Sequence, residues 1–164
     1  MGAAALKTSN QQELRANEKK WGQPLIKAGW CLLPATILER QKALGLTATD
    51  VNILMHLVRH WWVADRLPFP SKRAIADCMN CHPSTVQRRI ASMEKAGFIK
   101  RVVRSDREHG QRSNYYDLAG LVKAATPYAQ EILTERASKE KENAERRTRK
   151  QPRLKVVSAD EKRK

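Results

Sequence analysis

The sequence predicts a mainly α fold carrying one small β-hairpin, an α+β arrangement packed in the middle of the chain. Three observations predict it. Apolar residues recur at helical spacing in consecutive, separately capped segments between residues 47 and 97. Two short strand-like runs follow, 98–103 and 114–118, parted by a polar stretch that contains Gly110. Outside residues 23–133 the chain is polar and charged, so the core belongs to the middle.

Residues 1–22 are rich in Gln, Asn and Lys with little hydrophobic periodicity, and a flexible segment or a frayed helix is expected there. Gly29-Trp30-Cys31-Leu32-Leu33 is a short apolar run stopped by Pro34, which reads as a strand leading into a short helix over 35–43. Thr47-Ala48-Thr49-Asp50 has the form of a capping box, a hydroxyl followed three residues later by a carboxylate. Val51, Leu54, Met55, Val58, Trp61 and Trp62 then form one apolar stripe, and Pro68-Phe69-Pro70 is expected to end that helix. Ser71 is placed to cap a second, short helix that turns Ile75 and Ala76 inward.

After a turn at 79–82, Pro83 opens a third helix at the position where its missing N–H costs nothing. Val86, Ile90 and Met93 are spaced by four and three, so they share one buried face, and Gly97 closes the helix. The strand runs 98–103 and 114–118 come next, joined by an Arg-rich loop over 104–113. Helix, helix, helix, then a hairpin with a long basic loop is the winged-helix plan. A further helix over 118–125 is expected to break near Pro127. Residues 128–150 are helical by propensity, with Glu135 before Lys139, Glu142 before Arg146 and Glu145 before Arg149 in the favourable order. The expected organisation is thus a flexible segment 1–22, a winged helix-turn-helix domain 23–127, a charged helix 128–150 and a disordered basic tail 151–164.

Charge narrows the partners. The chain carries 32 Lys and Arg against 17 Asp and Glu, a formal net charge of +15. The excess is spread along the chain, which draws the protein to polyanions, nucleic acid first among them. No apolar run reaches membrane-spanning length and the N-terminus lacks the apolar stretch of a secretory signal, so a membrane partner is not expected. Three cysteines, an odd number, argue against a disulfide framework and for a reduced, cytoplasmic protein.

Within residues 71–97 each residue suits a helix-turn-helix. Ala76 lets two helices cross closely, Met79 and Cys81 flank the turn, and Asn80 stands where φ must be positive. Burying Val86 and Ile90 turns Ser84 and Arg88 outward, with Thr85 and Gln87 on the flanks. These four lie where a recognition helix reaches base edges in the major groove of double-stranded DNA. Arg88 suits guanine, Gln87 adenine, and Ser84 and Thr85 bases or phosphate. Ser71, Lys72 and Arg73 at the start of the second helix suit the DNA backbone. So do Arg89 and Lys100, and Arg104, Arg107, His109 and Arg112 on the hairpin loop suit phosphates or the neighbouring minor groove.

The stretch from Phe69 to Ile99, with its "FPS" entry, "PSTVQRRI" helix and "MEKAGFIKR" exit, resembles the winged helix-turn-helix family of bacterial regulators and plasmid or phage replication proteins. The resemblance covers under half of the chain. It implies double-stranded DNA binding in the bacterial cytoplasm or nucleoid, often as a dimer. It leaves open a transcription regulator, a replication-initiation or partition accessory protein at repeated origin sites, and a winged-helix protein-interaction module. A homodimer through residues 29–43 or 128–137 also stays open.

Rival readings of single motifs are weaker. Cys78-Met79-Asn80-Cys81-His82 matches the C-x-x-C-H of haem attachment but falls on the helix-turn-helix turn. Cys31, Cys78, Cys81 and His82 would supply a zinc set, yet two of them would have to leave positions that helix packing uses. His56 and His60 lie four apart without the carboxylate of an H-E-x-x-H pattern. Trp61 and Trp62 could form a base-stacking platform, with core packing the default. No phosphate-cradling Gly loop, paired carboxylates or Ser/His/Asp arrangement is present, so neither an enzyme, a cofactor nor a small-molecule ligand is expected.

Overall fold

A computed structural model of the chain describes residues 2–106, 110–111 and 113–148, with side chains over 12–104 and 113–148. It divides into two compact units, Met1–Ala125 and Thr126–Lys164. In the first, α1 (Gly2–Trp21), α2 (Gln23–Ala28) and α3 (Ala35–Glu39) precede the central helices α4 (Ala48–Val58), α5 (Lys72–Cys78) and α6 (Pro83–Lys95). Strands β1 (Lys100–Val102), β2 (Ser105–Asp106), β3 (Gly110–Gln111) and β4 (Tyr115–Asp117) follow, and α7 (Ala119–Thr148) starts in the first unit and continues as the second.

Local chemistry sets the ends of the central helices. Thr47 and Asp50 form the full capping box of α4, each side chain taking the other's backbone N–H. Ser71 Oγ accepts from the Ala74 amide to start α5. The α5–α6 turn closes on Asn80, at φ 48°, with the Cys81 amide donating to the Ala76 carbonyl at 3.0 Å. Gly97, at φ 79°, ends α6 in the same manner, the Phe98 amide reaching back to the Met93 carbonyl at 2.9 Å. These helices enclose Ile53, Leu54, Leu57, Ile75, Ala76, Val86, Ile90 and Met93, which Ile99, Tyr116, Leu118 and Leu121 complete from the hairpin side.

The hairpin pairs β1 with β4 antiparallel, Arg101 opposite Tyr116. Within the expected loop over 104–113, β2 and β3 pair antiparallel, Ser105 opposite Gln111. Residues 68–69 run beside β4: the Tyr116 amide donates to the Pro68 carbonyl and Ser113 Oγ to the Phe69 carbonyl. Mainly helical, with an antiparallel hairpin after the helix-turn-helix, the fold is winged-helix-like.

Several expectations need correction. Of the two alternatives for the N-terminal segment, residues 2–21 take the helical one, and 23–28 form a helix that the pattern does not reveal. Residues 29–33 make no strand, and among the described residues no strand pairs with them. Helix α3 stops at Glu39, and turns lead on to Gly45. The buried face of α4 is Asp50, Ile53, Leu54 and Leu57, not the stripe through Val51 and Met55, and the helix ends at Val58, well before Pro68. Trp61 and Trp62 therefore lie beyond it; Trp62 is 66% exposed, edge-on to Trp30, and not core. Pro127 does not break α7, which runs through it.

Candidate nucleic-acid interface

The site is built on α6, and burial decides its outward face. Val86 and Ile90 are fully buried and Met93 nearly so, which turns Ser84, Gln87 and Arg88 to the surface, with Thr85 half-buried. Arg88 has no partner among the described residues, so its guanidinium is available. Gln87 is joined to α5: Lys72 Nζ donates to its Oε1 at 3.0 Å.

The start of α6 carries a cap that the sequence reading passed over. His82 is the N-cap, its Nδ1 accepting from the Ser84 amide at 3.3 Å and standing 2.7 Å from Ser84 Oγ. Ring and hydroxyl are thus joined at the first turn of the helix. Proline at position 83 was the available signal, because it marks residue 82 as the cap.

Arg89 is half-buried at the edge of this face, and its ion pair is not visible in the sequence pattern. Its guanidinium forks onto the buried carboxylate of Asp50, Nε donating to Oδ1 at 2.7 Å and the second nitrogen engaging Oδ2. Oδ2 also accepts from the amide and hydroxyl of Thr47. Burial pushes the Asp50 carboxyl up, but the hydrogen bonds from Arg89 and Thr47 and the Arg89 charge outweigh it and hold the group below the ordinary carboxylate range. With two of its nitrogens on the Asp50 carboxylate, Arg89 ties α6 to α4. A second strut ties α6 to β1, where Arg101 Nε donates to Glu94 Oε2 at 2.6 Å. That bond chiefly holds Glu94 below its usual range.

The flanking cations are placed as follows. Lys72 and Arg73 occupy the first turn of α5 beside its cap, Ser71. Lys100 is exposed on β1. Arg104 is half-buried at the base of the wing, its guanidinium 4.6 Å above the Phe69 ring and 5.3 Å from that of Tyr115. Arg107, His109 and Arg112 lie outside the described residues, as does the 151–164 tail. Among the described residues no three His, Cys, Asp or Glu side chains gather as metal ligands; His82 is occupied in capping α6, and Cys78 is exposed. No described helix is long and apolar enough to cross a membrane.

Residues 44–99 match a family described as a helix-turn-helix domain. The chain is similar in structure to the N-terminal domain of DnaD protein from Geobacillus kaustophilus, with a TM-score of 0.50 at 17% identity over 70% of this chain and 93% of that one. YusO protein from Bacillus subtilis aligns over 90% of this chain and 95% of its own, at 20% identity and a TM-score of 0.40. No curated protein sequence matches the chain.

Proposed function

We propose, from the premise that residues 44–99 form a helix-turn-helix domain, that this chain binds double-stranded DNA sequence-specifically and acts as a transcription regulator. In this reading α6 lies in the major groove, with Ser84, Thr85, Gln87 and Arg88 at base edges. Ser71, Lys72, Arg73 and Lys100 meet phosphates, and the wing, with Arg104 at its base, meets backbone or minor groove.

One observation carries the reading: the division of α6 into a buried apolar face and an outward polar face that includes Arg88, which has no partner among the described residues. The net charge of +15 supports it, because a duplex is the polyanion whose groove admits a helix. The role is one of binding, not catalysis.

Footprinting on DNA flanking the gene tests the role. A single short palindrome is expected for a regulator, whereas tandem repeats would indicate origin binding instead. The double change Arg88→Ala with Gln87→Ala tests the surface. A good bidentate base contact discriminates by about 1–3 kcal/mol, so cognate affinity should drop tenfold or more while binding to random duplex changes little. Unchanged affinity and preference would refute the assignment of α6.

A further inference from the structure

The arginines around α6 and the hairpin are held in two different ways. Arg89 and Arg101 engage the carboxylates of Asp50 and Glu94 with their nitrogens. Arg104 makes no hydrogen bond or ion pair among the described residues, and aromatic rings hold it instead. Its guanidinium carbon lies over Phe69 at 4.6 Å and over Tyr115 at 5.3 Å. The rings stand nearly at right angles, 79° apart with centroids separated by 5.7 Å, so the cation sits in the corner between them. Backbone contacts fix both walls. Phe69 lies between Pro68 and Pro70, which restrict the chain there. The Pro68 carbonyl accepts from the Tyr116 amide at 2.9 Å and the Phe69 carbonyl from Ser113 Oγ at 2.8 Å, joining this segment to the strand that bears Tyr115. Phe69 is nonetheless 49% exposed and stands outside the core.

A ring face attracts the charge of a guanidinium but offers its N–H groups no acceptor oxygen. The hydrogen-bonding capacity of Arg104 is thus left for an outside acceptor, while its long stem loses the freedom it would have on an open surface. Ordering a rotamer-rich side chain at an interface counts against binding. Here the fold has ordered it beforehand. We propose that Phe69 and Tyr115 are positioning residues, which hold Arg104 in place for a phosphate of the duplex. This inference rests on the reading of the wing as a DNA contact and adds to it the residues that set its cation.

The experiment measures affinity for cognate and random duplex in a double-mutant cycle: Phe69→Leu, Arg104→Gln and both together, beside Phe69→Tyr. Phe69→Leu keeps the charge and removes one ring. It should weaken binding to both duplexes by about two- to tenfold, the cost of ordering one long side chain on binding. In the Arg104→Gln background, itself weaker, the same change should cost nothing further. Phe69→Tyr, which keeps a ring face, should bind as the unaltered chain does, and Tyr115→Leu should follow the pattern of Phe69→Leu. An equal loss with and without Arg104 would show that Phe69 acts through the fold or touches DNA itself, and would overturn the inference. So would unchanged affinity in Phe69→Leu. If the unaltered chain binds no duplex, the DNA-binding reading fails and this inference falls with it. If it binds and Arg104→Gln leaves affinity untouched, that reading stands and this inference alone falls.

Discussion

Arg89 shows most clearly what a single residue does here that its neighbours in sequence do not disclose. Arg88 and Arg89 are adjacent and chemically identical, yet one faces outward and the other grips a carboxylate 39 positions away. Helical periodicity separates them correctly into outer face and edge. It says nothing of Asp50, whose role in the capping box is local and legible while its buried bond to Arg89 depends on how α4 and α6 cross. Removing the guanidinium would leave a buried carboxylate with only Thr47 as partner. Arg89→Met, which preserves the stem, should therefore destabilise the fold by about 3 kcal/mol near neutral pH, read as a lower denaturant midpoint.

The same pair gives a pH signature. A carboxyl held below its unfolded value contributes stability that is fully present above about pH 4 and is lost as pH falls through the lower, folded value. In Arg89→Met that depression is gone. The gap in stability between the two chains should then narrow on acidification below about pH 4; a gap that stays constant down to pH 3 would show that the Asp50 carboxylate does not hold the helices together.

At the scale of elements, what was legible is what short-range chemistry decides. The caps at Thr47, Ser71 and Gly97, the left-handed turn at Asn80 and the buried trio of α6 follow from residues within one or two turns of each other. Helix α4 was found but its buried face was misread, because Val51, Ile53, Leu54, Met55, Leu57 and Val58 are apolar nearly all round and the choice of face belongs to what packs on it. Residues 29–33 have strand composition but no strand to pair with among the described residues. Pro127 forfeits one backbone hydrogen bond at a cost of about 3 kcal/mol, yet α7 is anchored before it by Leu121 and Ala125 and continued after it by strong helix formers.

Gly120 supplies the test at this scale. It lies in the first turn of α7, where the backbone passes so close to the end of α6 that an added Cβ would stand 1.9 Å from the Gly97 carbonyl oxygen. The Leu121 amide donates to the Phe98 carbonyl at 2.9 Å across that approach. By propensity alone, Gly120→Ala would stabilise a helix by about 1 kcal/mol. The contact reverses the sign: the atom met is backbone that closes α6 and cannot rotate aside, so a net loss of about 3 kcal/mol is expected. Chemical denaturation decides between the two, and an increase in midpoint would mean that the α6–α7 junction yields freely.

For the whole molecule the governing quantity is charge. A formal +15 is in excess of what any single helix carries, and it acts on a partner before any groove is entered. Ser71, Lys72, Arg73, Lys100 and Arg104 are the described residues proposed for backbone contact; four of them are cations, and base reading is assigned to other side chains. Binding to a duplex releases roughly 0.9 counterions for each phosphate neutralised. With about four to six phosphates engaged, the logarithm of the binding constant should fall with the logarithm of salt at a slope of about −4 to −5. A base contact enters that slope less than a phosphate contact does. Arg88→Ala should lower cognate affinity with a slope shallower by at most about one, whereas Lys72→Met with Arg73→Met should flatten it by about two and weaken specific and non-specific binding alike. A titration series between low and physiological salt measures all three. A slope near zero in the unaltered chain would mean that phosphates are not engaged and that the positive charge serves some purpose other than holding DNA.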